Sequence, residues 1–476
     1  MDSAIFAAIK SFFDTFGPAV FVPVVLYVIA LCLKVTPKKA FMSALSAGVG
    51  LMGFMLIIGA FSPIVNPVIE QMVRDTGIQL PVYDMGWQNA AVIAYSTKIG
   101  MIFVGICLLL QIVLFLTRYT NVFQAGDLWN NYSYMAWGSV IYLASDNLWL
   151  ALAAMITMQL YTLMCAEVIQ KRWSTYYKYP QCTIASLHTV GVAPYAIAMN
   201  WLLDRVGLYK IKSDPETFRS KLGFIGEPMT LGLLLGLLIG FIGNITKIDT
   251  LAAWGSITSC GIATAAVMAV FPKISGIFAG AFTAITEASK KTAKGSKHSA
   301  LGDWYLAVND ATGYGEPATL ISGIVLMPIM LLLSFILPGN QVLPMIDLVA
   351  VPYVIQPIVA SSNGNILKTV ISGAIWLSIG LYGGTATGPI FTEVAKGVGG
   401  VELGAGIMMI TSFAILCNPA GAILFLAFVN GNPITIGIAV IVYIVCYVLV
   451  RKHRECIHAW VEKQAENPGG AASTAA

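Results

Sequence analysis

Charge is scarce in this chain. Asp, Glu, Lys and Arg make up 11% of its 476 residues and hydrophobic residues 57%, whereas a soluble domain carries about a quarter charged residues. That balance excludes a soluble globular protein. The longest polar stretches, 204–225 and roughly 286–303, fall short of the ~50 residues of a minimal domain. Any catalytic or energy-coupling domain therefore belongs to another polypeptide. The P-loop pattern G-x-x-x-x-G-K-[ST] is absent, as are kinase and α/β-hydrolase signatures, so the chain does not spend ATP by a known route. Its eight cysteines form no C-x-x-C pair, and most sit in apolar runs, where they read as small reduced packing residues. With only His188, His298, His453 and His458 beside them, no zinc, haem or iron–sulfur pattern can be built, and neither cofactor nor metal is expected. The net charge of +4 is spread over short loops and gives no basis for binding nucleic acid.

Apolar sequence is what the chain has in abundance. Runs near the ~20 residues that a bilayer helix needs occur at 18–35, 41–62, 99–117, 182–203, 228–246, 250–271, 318–337, 366–383 and 433–450, with interrupted runs at 134–166 and 404–429. The expectation is an all-α, multi-pass membrane protein with about eleven transmembrane helices. No cleavable signal peptide is read, because Asp14 and Pro18 interrupt the start. Lys34, Lys38 and Lys39 follow the first run, Lys171, Arg172 and Lys178 the interrupted one, and Arg451, Lys452 and Arg454 the last. Basic flanks of this kind face the cytoplasm, which puts the N-terminus outside and the C-terminus inside.

Subtraction reveals a repeat. Gly17 and Gly226 differ by 209, as do Lys38 and Lys247, Ala44 and Ala253, and Ala60 and Ala269. The shift becomes 220 for Asn89 and Asn309, Val122 and Val342, Asp127 and Asp347, and Leu128 and Leu348, then 218 for Asn147 and Asn365. Collinear identities favour duplication, and an odd number of crossings per unit makes the halves inverted. The division expected is a first repeat at 1–205, a cytoplasmic linker at 206–225, a second repeat at 226–455, and a disordered cytoplasmic tail at 456–476.

Each half carries an amphipathic stretch after its second apolar run: Val65, Val68, Ile69 and Met72 in the first, and Ile274, Ile277, Phe278, Ala281, Phe282 and Ile285 in the second. A segment too polar to span follows each, around Asp84-Met85-Gly86-Trp87-Gln88-Asn89 and around Asn309 to Pro317. Both read as re-entrant hairpins, tolerated at membrane depth only where protein or a wet cavity satisfies the backbone. A carboxylate at the bilayer centre costs about 2.5 to 3.5 kcal/mol on insertion scales, so each one needs a partner or a function. Asp127 and Asp347 are placed to cap the helices opening at Leu128 and Leu348. Asp146-Asn147 and Asn363-Gly364-Asn365 read as interfacial turns or as pathway lining, and His188 as a satisfied helix histidine or a ligand. Glu227 opens a span, whereas Glu316 lies in the second hairpin and is the better site candidate; Trp87 is an interfacial anchor or a stacking surface. The substrate-binding candidates are Gln88, Asn89, Asp146, Asn147, His188, Asn309, Asp310, Glu316 and Asn363. This inventory of donors and acceptors without a core arginine suits an uncharged polyol or sugar.

Several segments resemble a known family. Lys221-Leu222-Gly223-Phe224-Ile225-Gly226-Glu227-Pro228-Met229-Thr230, Pro338-Gly339-Asn340-Gln341-Val342-Leu343-Pro344 with Asp347-Leu348, and Gly364 to Gly373 look like the galactitol-type permease subunit, enzyme IIC, of the bacterial phosphoenolpyruvate sugar phosphotransferase system. Asp84-Met85-Gly86-Trp87, Leu116-Thr117-Arg118 and Asp127-Leu128-Trp129-Asn130 add to the likeness. The resemblance implies an elevator-type carrier in the bacterial inner membrane, a homodimer, working with separate IIA and IIB proteins, the latter carrying a phosphocysteine. The family's hairpin and broken-helix positions correspond here to Gln88, Asp146, His188, Asp310 and Glu316. On this reading the chain is the permease component of a phosphotransferase complex, and the phosphoryl chemistry belongs to its partners. The alternatives are an ion-coupled secondary transporter using the same carboxylates, and a membrane-embedded enzyme with His188 and Glu227 as acid and base, for which no nucleophile is present.

Overall fold

The computed structural model describes residues 20, 23–24, 27–28, 30–31, 34–76, 80–87, 90, 93–94, 97–124, 128–217, 227–295, 304–397 and 409–466. Gln88, Asn89 and Asp127, and most of the apolar run expected at 18–35, lie outside them. The first half contributes α1 (Pro37–Thr76), β1 (Val82–Asp84), α2 (Lys98–Leu116), β2 (Val122–Gln124), α3 (Leu128–Ser145), α4 (Leu148–Tyr177), β3 (Cys182–Ile184), α5 (Leu187–Val190) and α6 (Ala193–Arg205). The second contributes α7 (Pro228–Gly243), α8 (Leu251–Gly295), β4 (Tyr305–Val308), α9 (Ala311–Tyr314), α10 (Pro317–Ile336), β5 (Val342–Leu343), α11 (Val351–Val354), α12 (Gln356–Ser361), α13 (Ile366–Gly397), β6 (Met409–Thr411), α14 (Pro419–Val429) and α15 (Pro433–Glu466).

The protein is mostly helical, as its apolar periodicity predicts. Among the described residues five helices are long and apolar enough to cross a membrane: α4, residues 251–270 of α8, α10, α13 and α15. The span and the amphipathic stretch expected as separate elements form one continuous helix in each half, α1 with 40 residues and α8 with 45. At 1.5 Å per residue each is roughly 60 Å or more, twice the hydrocarbon thickness. Three expected spans are not single helices: the interrupted run at 134–166 breaks at Asp146-Asn147 between α3 and α4. The run at 182–203 is divided into β3, α5 and the 13-residue α6, and the run at 404–429 contains β6 and the 11-residue α14. Neither helix exceeds about 20 Å.

The pair α7 and α8 packs through small residues. A Cβ placed on Gly236 would lie 2.5 Å from the Cys260 carbonyl oxygen, and one on Gly240 would lie 2.8 Å from the Ile257 Cα. Only hydrogen lets the two backbones approach this closely, and in lipid such packing replaces the hydrophobic effect as the cohesive force. Gly236→Leu is expected to force the helices apart and cost about 1–3 kcal/mol or more. A lower melting temperature and lost monodispersity in detergent would register it.

Among the described residues six short strands, unseen in the sequence, form two parallel three-stranded sheets. One has the order β5-β1-β6, with Val82 beside Val342 and Met409; the other has the order β2-β4-β3, with Leu306 beside Phe123 and Cys182. In each sheet the central strand comes from one half and both flanking strands from the other. The ladders satisfy backbone that leaves the helical path inside an apolar protein.

Helix α15 continues beyond its apolar part as a packed strap. Its 34 residues span roughly 50 Å, and Ile434, Ile438, Ile441 and Val448 are exposed along the apolar part, as lipid contact requires. Residues 456–466, expected to be disordered tail, are helical and bury Val461 and Ala465. There Glu462 meets Arg172 at 2.9 Å, and Gln464 Nε2 donates to Asp204 Oδ2 at 3.4 Å. Asp204 Oδ1 also accepts from Lys368 Nζ at 2.8 Å, with both side chains buried. Removing one member of a buried pair strands the other charge, so Asp204→Ala is expected to destabilise the protein by about 3–5 kcal/mol. Lys368→Met in the same background should recover part of that loss in a thermal-shift assay.

Candidate functional site

Polar side chains gather beyond the carboxyl ends of the two sheets. Asp84, the last residue of β1, is buried and accepts four backbone N–H groups: Gly86 and Phe413 on Oδ1, Met345 and Asp347 on Oδ2, all at 2.8–3.0 Å. Asp347 is buried beside it. Rather than capping the helix at Leu348, it accepts from Trp87 N at 2.8 Å, Ser412 Oγ at 2.6 Å and Ala414 N at 3.0 Å. The reason is topological: the loops after β1, β5 and β6 leave unpaired N–H groups in one place, and two carboxylates supply the acceptors.

At the other sheet the arrangement is more open in its chemistry. Asp310 follows β4 and is fully buried. Its Oδ2 lies 2.8 Å from His188 Nε2 and accepts from Thr189 Oγ1 at 2.8 Å, both on α5 just after β3. In a neutral imidazole, a carboxylate facing Nε2 favours the proton there, and Nδ1 is then an acceptor. That Nδ1 is buried and, among the described residues, has no hydrogen-bond partner. Asn309 turns the chain by accepting from Ala311 N at 2.9 Å, while Thr312 Oγ1 donates to the Asn309 carbonyl at 2.7 Å. Asn418, the N-cap of α14, donates to the His188 carbonyl at 3.1 Å. Ser186 Oγ donates to Asn130 on α3 at 2.9 Å.

Tyr132 of α3 joins the two sheet ends. Its ring packs edge-on against His188 at 5.5 Å and against Trp87 at 6.3 Å, between centroids. Trp87, half-buried, thus packs toward the interior through Tyr132.

Of the residues expected at the site, the structure brings together His188, Asn309 and Asp310. Asp146 and Asn147 are exposed at the start of α4, where Asp146 takes φ +50° and Asn147 caps the helix by accepting from Leu150 N at 3.0 Å. The thirty-residue α4 runs from there to Tyr177, and Glu316 lies near that far end, bonded to Tyr176. Glu316 caps α10: it accepts from Ala318 N, Thr319 N, Thr319 Oγ1 and Tyr176 OH at 2.8–3.1 Å. Asn363 sits exposed in a left-handed turn and accepts from Arg172 at 2.5 Å. Gln88 and Asn89 lie outside the described residues. Thr189, Asn130, Tyr132 and Asn418 escaped the sequence reading. The cluster of Asn130, Asn131 and Ser133 at the start of α3 was the available signal. Among the described residues no group of three or more His, Cys, Asp or Glu side chains could hold a metal.

Apolar crossing helices around a buried polar cluster, presented by broken segments rather than by an appended domain, define a membrane permease. The chain belongs to the EIIC-GAT family, the sugar-specific permease components of the PTS system, which matches residues 11–406. A putative permease IIC component of Escherichia coli (strain K12) is 28% identical over 383 residues, 80% of this chain and 85% of that protein. The PTS system galactitol-specific EIIC component of the same strain is 24% identical over 402 residues, 84% of this chain and 86% of that one.

Proposed function

We propose that this chain is the IIC permease of a phosphoenolpyruvate-dependent phosphotransferase system for galactitol or a related polyol, embedded in the bacterial inner membrane as a homodimer. The observation that carries the reading is the buried His188–Thr189–Asp310 cluster, where His188 Nδ1, without a partner among the described residues, is placed to hydrogen-bond a solute hydroxyl. An uncharged hydroxylated solute suits it, because a buried hydroxyl without a partner costs about 1–3 kcal/mol. The exchange of strands between halves supports an inverted repeat: β1 between β5 and β6 corresponds to β4 between β2 and β3. In the elevator mechanism we infer, the sheets and their loops move with the solute, while α7, α8 and α1 form the fixed scaffold. On the cytoplasmic side IIB transfers its phosphoryl group to a substrate hydroxyl, and the added charge, about −1.5 to −2, prevents return through an apolar barrier.

Membrane vesicles containing the chain, supplied with the soluble phosphotransferase proteins and phosphoenolpyruvate, are expected to accumulate labelled galactitol phosphate with or without an ionophore. Uptake that ignores phosphoenolpyruvate and collapses with ionophore would establish an ion-coupled carrier instead.

A further inference from the structure

Gln356 lies outside every site assigned so far, at the break in the second half where Pro352 and Pro357 interrupt the helical path. Its side chain is fully buried, and both ends of its carboxamide are engaged. Nε2 donates to the main-chain carbonyl of Asp310 at 2.5 Å, and Oε1 accepts from the indole N–H of Trp173 on α4 at 3.2 Å. The orientation is forced, because an indole can only donate and a carbonyl can only accept. The Gln356 carbonyl in turn accepts from Tyr177 OH at 3.3 Å. Gly313, three residues beyond Asp310, closes the contact: a Cβ there would lie 2.2 Å from Gln356 Oε1.

From this geometry we propose that Gln356 is a positioning residue, which fixes the Asp310 loop against α4 so that the carboxylate meets His188 and Thr189. The proposal rests on the reading of the Asp310 cluster as the solute site. The Gln356 carboxamide clamps the main chain of the residue whose carboxylate orients His188 and Thr189, so its effect passes entirely through Asp310. Replacing the amide by a thioether of similar length leaves the packing and removes both hydrogen bonds.

The test is galactitol binding to the purified full chain by calorimetry. Gln356→Met is expected to raise Kd on the order of tenfold, the size of one hydrogen bond's contribution. Gly313→Ala should do the same by displacing the carboxamide without changing any polar group, and it carries the test if Gln356→Met does not fold. The decisive readout is the double variant with Asp310→Asn, because residues acting through one another are not additive. Gln356→Met is expected to add little to the loss already caused by Asp310→Asn. Full additivity, or an unchanged Kd in Gln356→Met and Gly313→Ala, overturns the positioning role while the Asp310 site stands. Wild-type binding by Asp310→Asn alone would sink the underlying reading.

Discussion

Asp310→Asn is expected to reduce phosphoenolpyruvate-driven accumulation of galactitol phosphate by about 100-fold or more, with the protein still present in the membrane in normal amount. Oδ2 of Asp310 takes two donors, the His188 ring and the Thr189 hydroxyl. Bonds to an ionised acceptor are roughly twice as strong as neutral ones, and both become neutral in the variant. The larger effect falls on His188. Without a carboxylate opposite Nε2, the tautomer is no longer fixed, and the lone pair on Nδ1 is no longer guaranteed. A solute hydroxyl then loses its acceptor in a buried setting, where the replacement cannot be water from bulk. Thr189→Val, which removes one donor and keeps the carboxylate, should lose far less. Equal losses in the two variants would mean that the cluster acts only as packing. Uptake assayed beside immunodetected protein separates these outcomes.

Much of the architecture was legible because lipid imposes a simple rule. A stretch of apolar residues near the span length has few alternatives, so α10, α13 and the apolar part of α15 lie where hydropathy puts them. The rule failed at 182–203 and 404–429, where composition alone cannot distinguish a crossing helix from a strand followed by a short helix. Strands of two to four residues carry no period to read. Their existence depends on partners more than 60 residues away, as when β1 pairs with β5 and β6. The same limit explains the site. His188 and Asp310 are polar residues at breaks in apolar runs that the fold brings together, and Glu316 and Asn147 share that signature but cap helices. A side chain's type shows that it needs a partner; only the fold shows whether that partner is its own backbone. Gln356 was invisible for the complementary reason. It looks like one more polar residue in an apolar segment, and its two partners, Trp173 and Asp310, are distant in sequence.

Asp84 should be the position where a single substitution does most harm to folding. Its carboxylate is the shared acceptor for N–H groups of Gly86, Met345, Asp347 and Phe413, which belong to three loops from the two halves of the chain. Asp84→Ala leaves these four donors without an acceptor. At about 1–3 kcal/mol for each buried donor, even partial relaxation leaves a penalty comparable with the ~5–15 kcal/mol that stabilises a typical protein. The variant is therefore expected to yield no folded protein, seen as loss of the monodisperse peak in detergent. Asp84→Asn keeps the shape but turns one acceptor oxygen into a donor, opposing two of the four N–H groups, and should fall between the two. Asp214 provides the comparison. Its carboxylate accepts from Thr217 N and Oγ1, each at 2.7 Å, within one turn of the linker and partly open to water. Water can replace it there, so Asp214→Ala should cost no more than a lost helix cap, about 0.5–2 kcal/mol. If Asp84→Ala proved as mild, the three loops would have to be held by their short ladders alone, and Asp84 would have no structural claim beyond its own turn.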